Sequence, residues 1–357
     1  METTPNKDGR FARLRHLFGR AWARPDPSPP VRDPLIHLII LDGTMSSLEP
    51  GEETNAGLTY RLAQQMGEGV LVYYEPGLQW TDWRSIPDVA SGRGLNGQIK
   101  RAYGHLASRY RPGDRIFLMG YSRGAFAVRS LAGIIERMGL LERGKANEQN
   151  IRRIYHLYEC DALGEAAQSF RQENCYDEVP IKMIGVWDTV KSLGVNAPVL
   201  WRLSVARYAF HNLELSPLVK YGRHALAMDE TRVVYRPVLW EADPDDPNRI
   251  IQMWFRGSHG DVGGQLSGRH YARHLSNIPL VWMLEQAEEA GLPLPEGWAR
   301  QFPQNVNAPS VGTWVGWSKI FVTRRKRPVG LDPSERVHDS VDARAADWSQ
   351  VIDATGT

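Results

Sequence analysis

The sequence is poor in cysteine, in long apolar runs and in charge of one sign. Only Cys160 and Cys175 stand among its 357 residues. That is too few for a disulfide framework, and neither sits in metal-ligand spacing. Free thiols suit a reducing, cytoplasmic compartment. No apolar run is long enough to span a bilayer. The N-terminus has no uninterrupted apolar core before a small-residue cleavage site, so no secretory signal peptide is expected. Export by a machine that reads no cleaved signal stays open. The net charge is +2, and no nucleic-acid-binding motif appears, so nothing argues for a nucleic-acid partner. No feature sets an oligomeric state. What is present is globular: 42% hydrophobic and 24% charged residues, in a chain long enough for one large domain or two ordinary ones.

Residues 1–33 read as an N-terminal appendage. Phe11, Leu14, Leu17, Phe18, Ala21 and Trp22 recur at helical spacing among Arg13, Arg15, Arg20 and Arg24. A Pro-rich stretch from Pro25 to Pro34 then breaks any helix. Two readings stand: a locally packed tail, or a short basic amphipathic helix in peripheral contact with an anionic membrane.

From Leu35 onward, apolar strands alternate with amphipathic helices. Leu35 to Leu41, Gly69 to Tyr74, Arg115 to Gly120, Ile181 to Trp187 and Ile250 to Phe255 read as strands. Thr54 to Gln65, Leu95 to Tyr110, Arg123 to Met138 and Ser276 to Ala290 read as helices. Strands apolar throughout imply a mostly parallel sheet covered on both faces, an α/β architecture. The domain is expected over 34–295, with 296–357 as a C-terminal extension. Residues 193–228 interrupt the alternation and read as a helical insertion. Its large apolar residues, Trp201, Leu203 and Phe210 among them, suit either a lid that receives an apolar substrate or packing on the sheet edge.

The pattern Gly120-Tyr121-Ser122-Arg123-Gly124 lies between a buried strand and an apolar helix. That is the setting of a nucleophile elbow, in which glycines let strand and helix approach and the turn exposes the serine. The bare pentapeptide is common by chance; the strand before it and the helix after it give it weight. A nucleophilic serine needs a base, and the base needs an orienting acid, in the chain order Ser, Asp or Glu, His for this fold. Asp188 follows the strand ending at Trp187, and His259 lies in the loop after Phe255. His259 competes with His211, His224 and His270. His224 sits in a helical pattern that suits packing, His211 in the insertion and His270 in an Arg-rich loop. Asp261 is an alternative orienting acid, or a cation ligand together with Asp42. Such loops usually gather more oxygen ligands, so no metal and no cofactor are expected. The oxyanion donors expected are the amide of Arg123 and an amide of Gly43 or Thr44 after the first strand. The alternative for Asp42-Gly43-Thr44 is a simple Asx turn.

Seven ordered blocks carry a family resemblance. They are Leu41-Asp42-Gly43-Thr44, Gly92-Arg93-Gly94, Gly113 to Phe117, Gly120 to Ala125, Gly185 to Val190, His224 to Glu230, and Trp254 to Gly264. Over roughly residues 35–290 the chain resembles the catalytic domain of the type VI secretion phospholipase effectors. The resemblance implies an α/β-hydrolase fold, bacterial origin and a serine hydrolase acting on lipid esters. It departs at Gln265, where the family usually has a third glycine. It departs again at Met45-Ser46-Ser47, where a Trp-Asn type sequence is usual. Other functions compatible with the same residues are a soluble esterase, thioesterase or amidase, and a non-catalytic partner-binding protein of the same fold.

Overall fold

Every residue of β1, Ile36–Leu41, is buried. Its side chains alternate between two cores. Ile39 and Leu41 join one, and Ile36, Leu38 and Ile40 join the other. A strand apolar on both faces can be satisfied only inside a sheet covered on both sides. In the computed structural model that sheet has seven strands in the order β2-β1-β3-β4-β5-β6-β7, and each neighbouring pair is parallel. The structure describes residues 32–77, 93–190, 214–314 and 322–341. Of the two units into which the chain divides, Met1–Asp33 and Pro34–Thr357, the second holds the sheet and its helices.

The strands are β1, β2 (Val70–Glu75), β3 (Arg115–Tyr121), β4 (Ile181–Trp187), β5 (Val219–Ala227), β6 (Ile250–Phe255) and β7 (Glu335–Val337). The helices are α1 (Asn55–Ala63), α2 (Arg93–Ala107), α3 (Arg123–Met138), α4 (Glu148–Asp161), α5 (Glu165–Asn174), α6 (His259–Gly263) and α7 (Arg273–Glu289). Residues of α2, α3, α4 and α5 pack into the core on one face of the sheet. Residues of α1 and α7 pack into the other. This is the α/β-hydrolase fold that the sequence implies.

Two expectations are corrected. The stretch 193–228 is not helical throughout: Val219–Ala227 is the interior strand β5. His224 therefore lies on a strand, not in a helix. It is fully buried, and its Nε2 accepts the Thr189 amide at 3.1 Å while Nδ1 meets Gln252 Oε1 at 3.3 Å. The rest of that insertion, 193–213, with Trp201, Leu203, Phe210 and His211, lies outside the described residues. Nor does the sheet end with residue 295. The short β7 pairs with β6, tied by Gln252 to Ser334 Oγ at 2.8 Å and by the Trp254 indole to Glu335 at 2.7 Å.

At the turn from β3 to α3 the backbones close to contact. A Cβ added at Gly124 would sit 2.0 Å from the carbonyl oxygen of Leu41, and one at Gly120 2.6 Å from that of Gly124. Only glycine fits there, because the obstacle is main chain of β1 and α3 and not a side chain that can swing away. Gly124→Ala is expected to push α3 off β1 and to destabilise the fold by about 2–3 kcal/mol, the upper part of the overpacking range. Urea unfolding of the variant against wild type measures this.

Candidate active site

Ser122 sits between Tyr121, the last residue of β3, and Arg123, the first of α3. Its backbone is at φ 56° and ψ −117°, which a residue with a Cβ adopts only when its surroundings force it. The Ser122 amide donates to the Trp187 carbonyl at 3.0 Å, so β4 fixes the turn. Asp188, directly after β4, is the second non-glycine residue here at positive φ, 42°. Its amide donates to Ala225 of β5 at 2.8 Å. Parallel register thus sets both residues at the carboxyl edge of the sheet, where ligands bind in open α/β sheets.

His259 begins the short α6 after β6. The Asp261 carboxylate folds back on Ser258, accepting its amide at 2.8 Å and its hydroxyl at 2.7 Å, which tightens the loop that carries the imidazole. His259 Nε2 is 2.9 Å from Ser122 Oγ, and Nδ1 is 2.6 Å from Asp188 Oδ2. Tyr121 and Tyr235 flank the ring, with centroids at 4.9 and 4.7 Å. The His259 amide donates to Glu230 Oε2 at 3.1 Å. Glu230 in turn pairs with Arg232, whose guanidinium lies 4.1 Å from the Tyr235 ring centroid. The geometry brings together Ser122, His259 and Asp188 out of the residues singled out in the sequence.

Asp188 is fully buried. Burial alone would raise its pKa, but the Arg327 guanidinium and the His259 hydrogen bond outweigh it and hold the carboxyl well below the usual range. Arg327 meets both oxygens, Nη1 to Oδ1 at 2.6 Å and Nη2 to Oδ2 at 2.9 Å. Sequence reading missed it, along with the flanking Tyr235. Arg327 sits inside the basic run Arg324-Arg325-Lys326-Arg327, which gives no sign of which residue turns inward. Losing one partner of such a buried pair typically costs about 3–5 kcal/mol.

The remaining candidates have other work. Asp261 also accepts from Ser310 Oγ at 2.6 Å and the Val311 amide at 2.7 Å. Its hydrogen bonds hold loops, and the acid beside His259 is Asp188. Asp42 is buried and accepts from Thr54 Oγ1 at 2.6 Å, Tyr74 Oη at 2.8 Å and the Gly43 amide at 2.6 Å. Burial pushes its pKa up to about 6, against the pull of those hydrogen bonds. Asp42 and Asp261 share none of these partners. Among the described residues, no three His, Cys, Asp or Glu side chains cluster to hold a metal. The Gly43 amide donates to the Asp42 carboxylate. Gln265 crosses to that loop: its Nε2 donates to the Thr44 carbonyl at 2.8 Å, and its Oε1 accepts from Tyr121 Oη at 3.4 Å. A glycine at 265 could make neither bond. His270 lies at the surface, 3.6 Å from Glu52.

Ser122, Asp188 and His259 follow β3, β4 and β6 of one parallel sheet, the layout of an α/β-hydrolase fold. A family model for the catalytic domain of Tle1-like phospholipase effectors of the type VI secretion system matches residues 37–286, and the chain belongs to that family. The uncharacterized protein YEL023C of Saccharomyces cerevisiae is 28% identical over 235 residues, 59% of this chain. The chain spans about a third of that relative's length, 33%. A crystal structure of an uncharacterized protein from Pseudomonas aeruginosa is 15% identical at a TM-score of 0.44, covering 85% of this chain and 53% of that one. The structure of a Tle1 effector bound to the VgrG spike is 18% identical at a TM-score of 0.37, covering 68% and 53%. Among the described residues, no helix is long and apolar enough to cross a membrane.

His224 holds the chain beside Asp188 through the Thr189 amide. Burial, with the charge of Arg129, lowers its pKa to about 3. The unfolded imidazole takes a proton near the ordinary value of about 6.5, which the folded one refuses until much lower pH. Its contribution is therefore present above about pH 6.5 and is lost as pH falls, by up to about 1.4 kcal/mol per unit. His224→Gln is expected to be less stable than wild type at pH 7 but to lose less stability on going to pH 5. Urea unfolding at both values checks it; parallel losses would refute it.

Proposed function

We propose that this protein hydrolyses carboxylic esters of lipids, phospholipids foremost, through an acyl-enzyme. The observation that carries the chemistry is the continuous hydrogen-bonded chain Ser122–His259–Asp188, with Ser122 at a strained strand-to-helix turn. Family membership supports the lipid substrate.

The geometry supports two half-reactions. Ser122 Oγ attacks the acyl carbonyl while His259 Nε2 takes its proton. Asp188 keeps the proton of Nδ1 facing itself, so Nε2 is the basic nitrogen, and it stabilises the imidazolium that forms. The oxyanion of the tetrahedral intermediate is bound by the amides of Arg123 and Thr44. Collapse expels the alcohol, which receives the proton from His259. Water then repeats the sequence on the acyl-enzyme, releasing the fatty acid and restoring Ser122. The segment with Trp201, Leu203 and Phe210 is the proposed site for the acyl chain, on its composition. Residues 1–33 are proposed to touch anionic membranes through their arginines, and family membership supports delivery by a route that needs no cleaved signal.

Released fatty acid is measured from a panel of phospholipids, neutral lipids and short soluble esters. Wild type is expected to act on aggregated lipid, with Ser122→Ala about a thousandfold or more slower. Equal rates for the two proteins would end the serine reading. Hydrolysis of soluble esters with no gain on micelles would replace the lipid substrate with a soluble one. Separately, deletion of residues 1–33 is expected to weaken binding to anionic liposomes at low salt, and undiminished binding would remove that segment's membrane role.

A further inference from the structure

We propose that Arg327 is a positioning residue for this relay: it locks the Asp188 carboxylate in place and opposes proton uptake by His259 in the resting enzyme. The inference rests on the hydrolase reading above. It extends that reading to a residue beyond the family-matched span 37–286.

The Asp188 carboxylate receives four hydrogen bonds. Oδ1 accepts from the Ala227 amide at 3.1 Å and from Arg327 Nη1 at 2.6 Å. Oδ2 accepts from Arg327 Nη2 at 2.9 Å and faces His259 Nδ1 at 2.6 Å. A carboxylate offers about four lone-pair sites, so the group has no second orientation open to it. Arg327 is held just as firmly. Nη1 also donates to the Ala227 carbonyl at 2.8 Å, and Nη2 to the Tyr235 carbonyl. Its side chain is 4% exposed, that of Asp188 0%. The rigid planar fork of arginine matches both oxygens at once; an ammonium at the same place could not.

Charge gives the second half. Asp188 and Arg327 already cancel, so a proton on His259 leaves a net positive cluster out of water. Without Arg327 the same proton would neutralise Asp188. The other groups facing this cluster are Glu230 paired with Arg232, the rings of Tyr121 and Tyr235, His224 behind Asp188, and Asp42 near Tyr121. Salt bridging keeps Glu230 ionised, and burial keeps both tyrosines neutral and His224 uncharged. Burial raises Asp42 to about 6, and the hydrogen bonds that oppose this come from Thr54, Tyr74, Gly43 and Ser46, none of them Arg327. A difference between wild type and Arg327 variants therefore reports Arg327.

The test is the rate of covalent labelling by a fluorophosphonate as a function of pH, which needs no knowledge of the substrate, together with the Tm of each protein. In Arg327→Gln the acid limb of the rate profile is expected to move up by about one pH unit, the low end for removal of a neighbouring charge. In Arg327→Lys the limb is expected to stay while the maximal rate falls about 10- to 100-fold, the scale of a misplaced reacting group. An unmoved limb in the Gln variant, or a wild-type maximal rate in the Lys variant, overturns the positioning role. So does failure of both to fold, which would make Arg327 a structural partner only. Unlabelled wild type would instead bring down the hydrolase reading itself.

Discussion

The structure turns on a buried negative charge. Asp188 lies at the carboxyl edge of the sheet with no exposure to water. An isolated ionised carboxylate there would be prohibitive. Three parts of the chain converge to make it tolerable: the end of β5 through the Ala227 amide, the segment before β7 through Arg327, and the loop after β6 through His259. The strand order explains the convergence. β5 stands between β4 and β6, so its main chain fills the gap between acid and imidazole. Its terminal residue donates to Asp188 with its amide and receives Arg327 at its carbonyl.

Ser122 and Asp188 meet this constraint from neighbouring strands, each with a left-handed backbone that a side chain disfavours. Such strain persists where surrounding structure over-determines it. The register Gly120 to Val186 and Tyr121 to Trp187 fixes one strand end against the other, and the amide of Ser122 is held by Trp187. The bare glycines at 120 and 124 let α3 approach close enough for this. Elbow, acid and base are therefore one mechanical unit: moving α3 from β1 would shift Oγ relative to an imidazole already clamped between two tyrosine rings.

The strands with unbroken apolar runs were legible in the sequence. β4, α3 and β6 begin and end where periodicity places them, because most of their residues are apolar and buried. β5 was illegible for the opposite reason. Its sequence carries Lys220, Gly222, Arg223 and His224, and those polar groups are satisfied by partners far away in sequence. Arg223 reaches Gln286 and two main-chain carbonyls of 248 and 249, and His224 reaches Thr189 and Gln252. β7 is three residues long without an apolar run. In the site, Ser122, Asp188 and His259 were legible because each follows a readable strand. Arg327 was not, since it acts across 139 positions from an irregular segment.

That separation bears on where the functional unit ends. Similarity to the family covers 37–286, a span that includes the serine, the acid and the histidine. It omits the cation that balances the acid and the strand that follows it. Cut at 286, the sheet would lose β7, the Trp254 indole would lose Glu335, and Asp188 would keep a full charge facing only a neutral imidazole and one amide. The serine, acid and histidine proposed for the chemistry and the arginine paired with the acid thus lie in different stretches of the chain, and the second stretch is tied down by β7 beside β6.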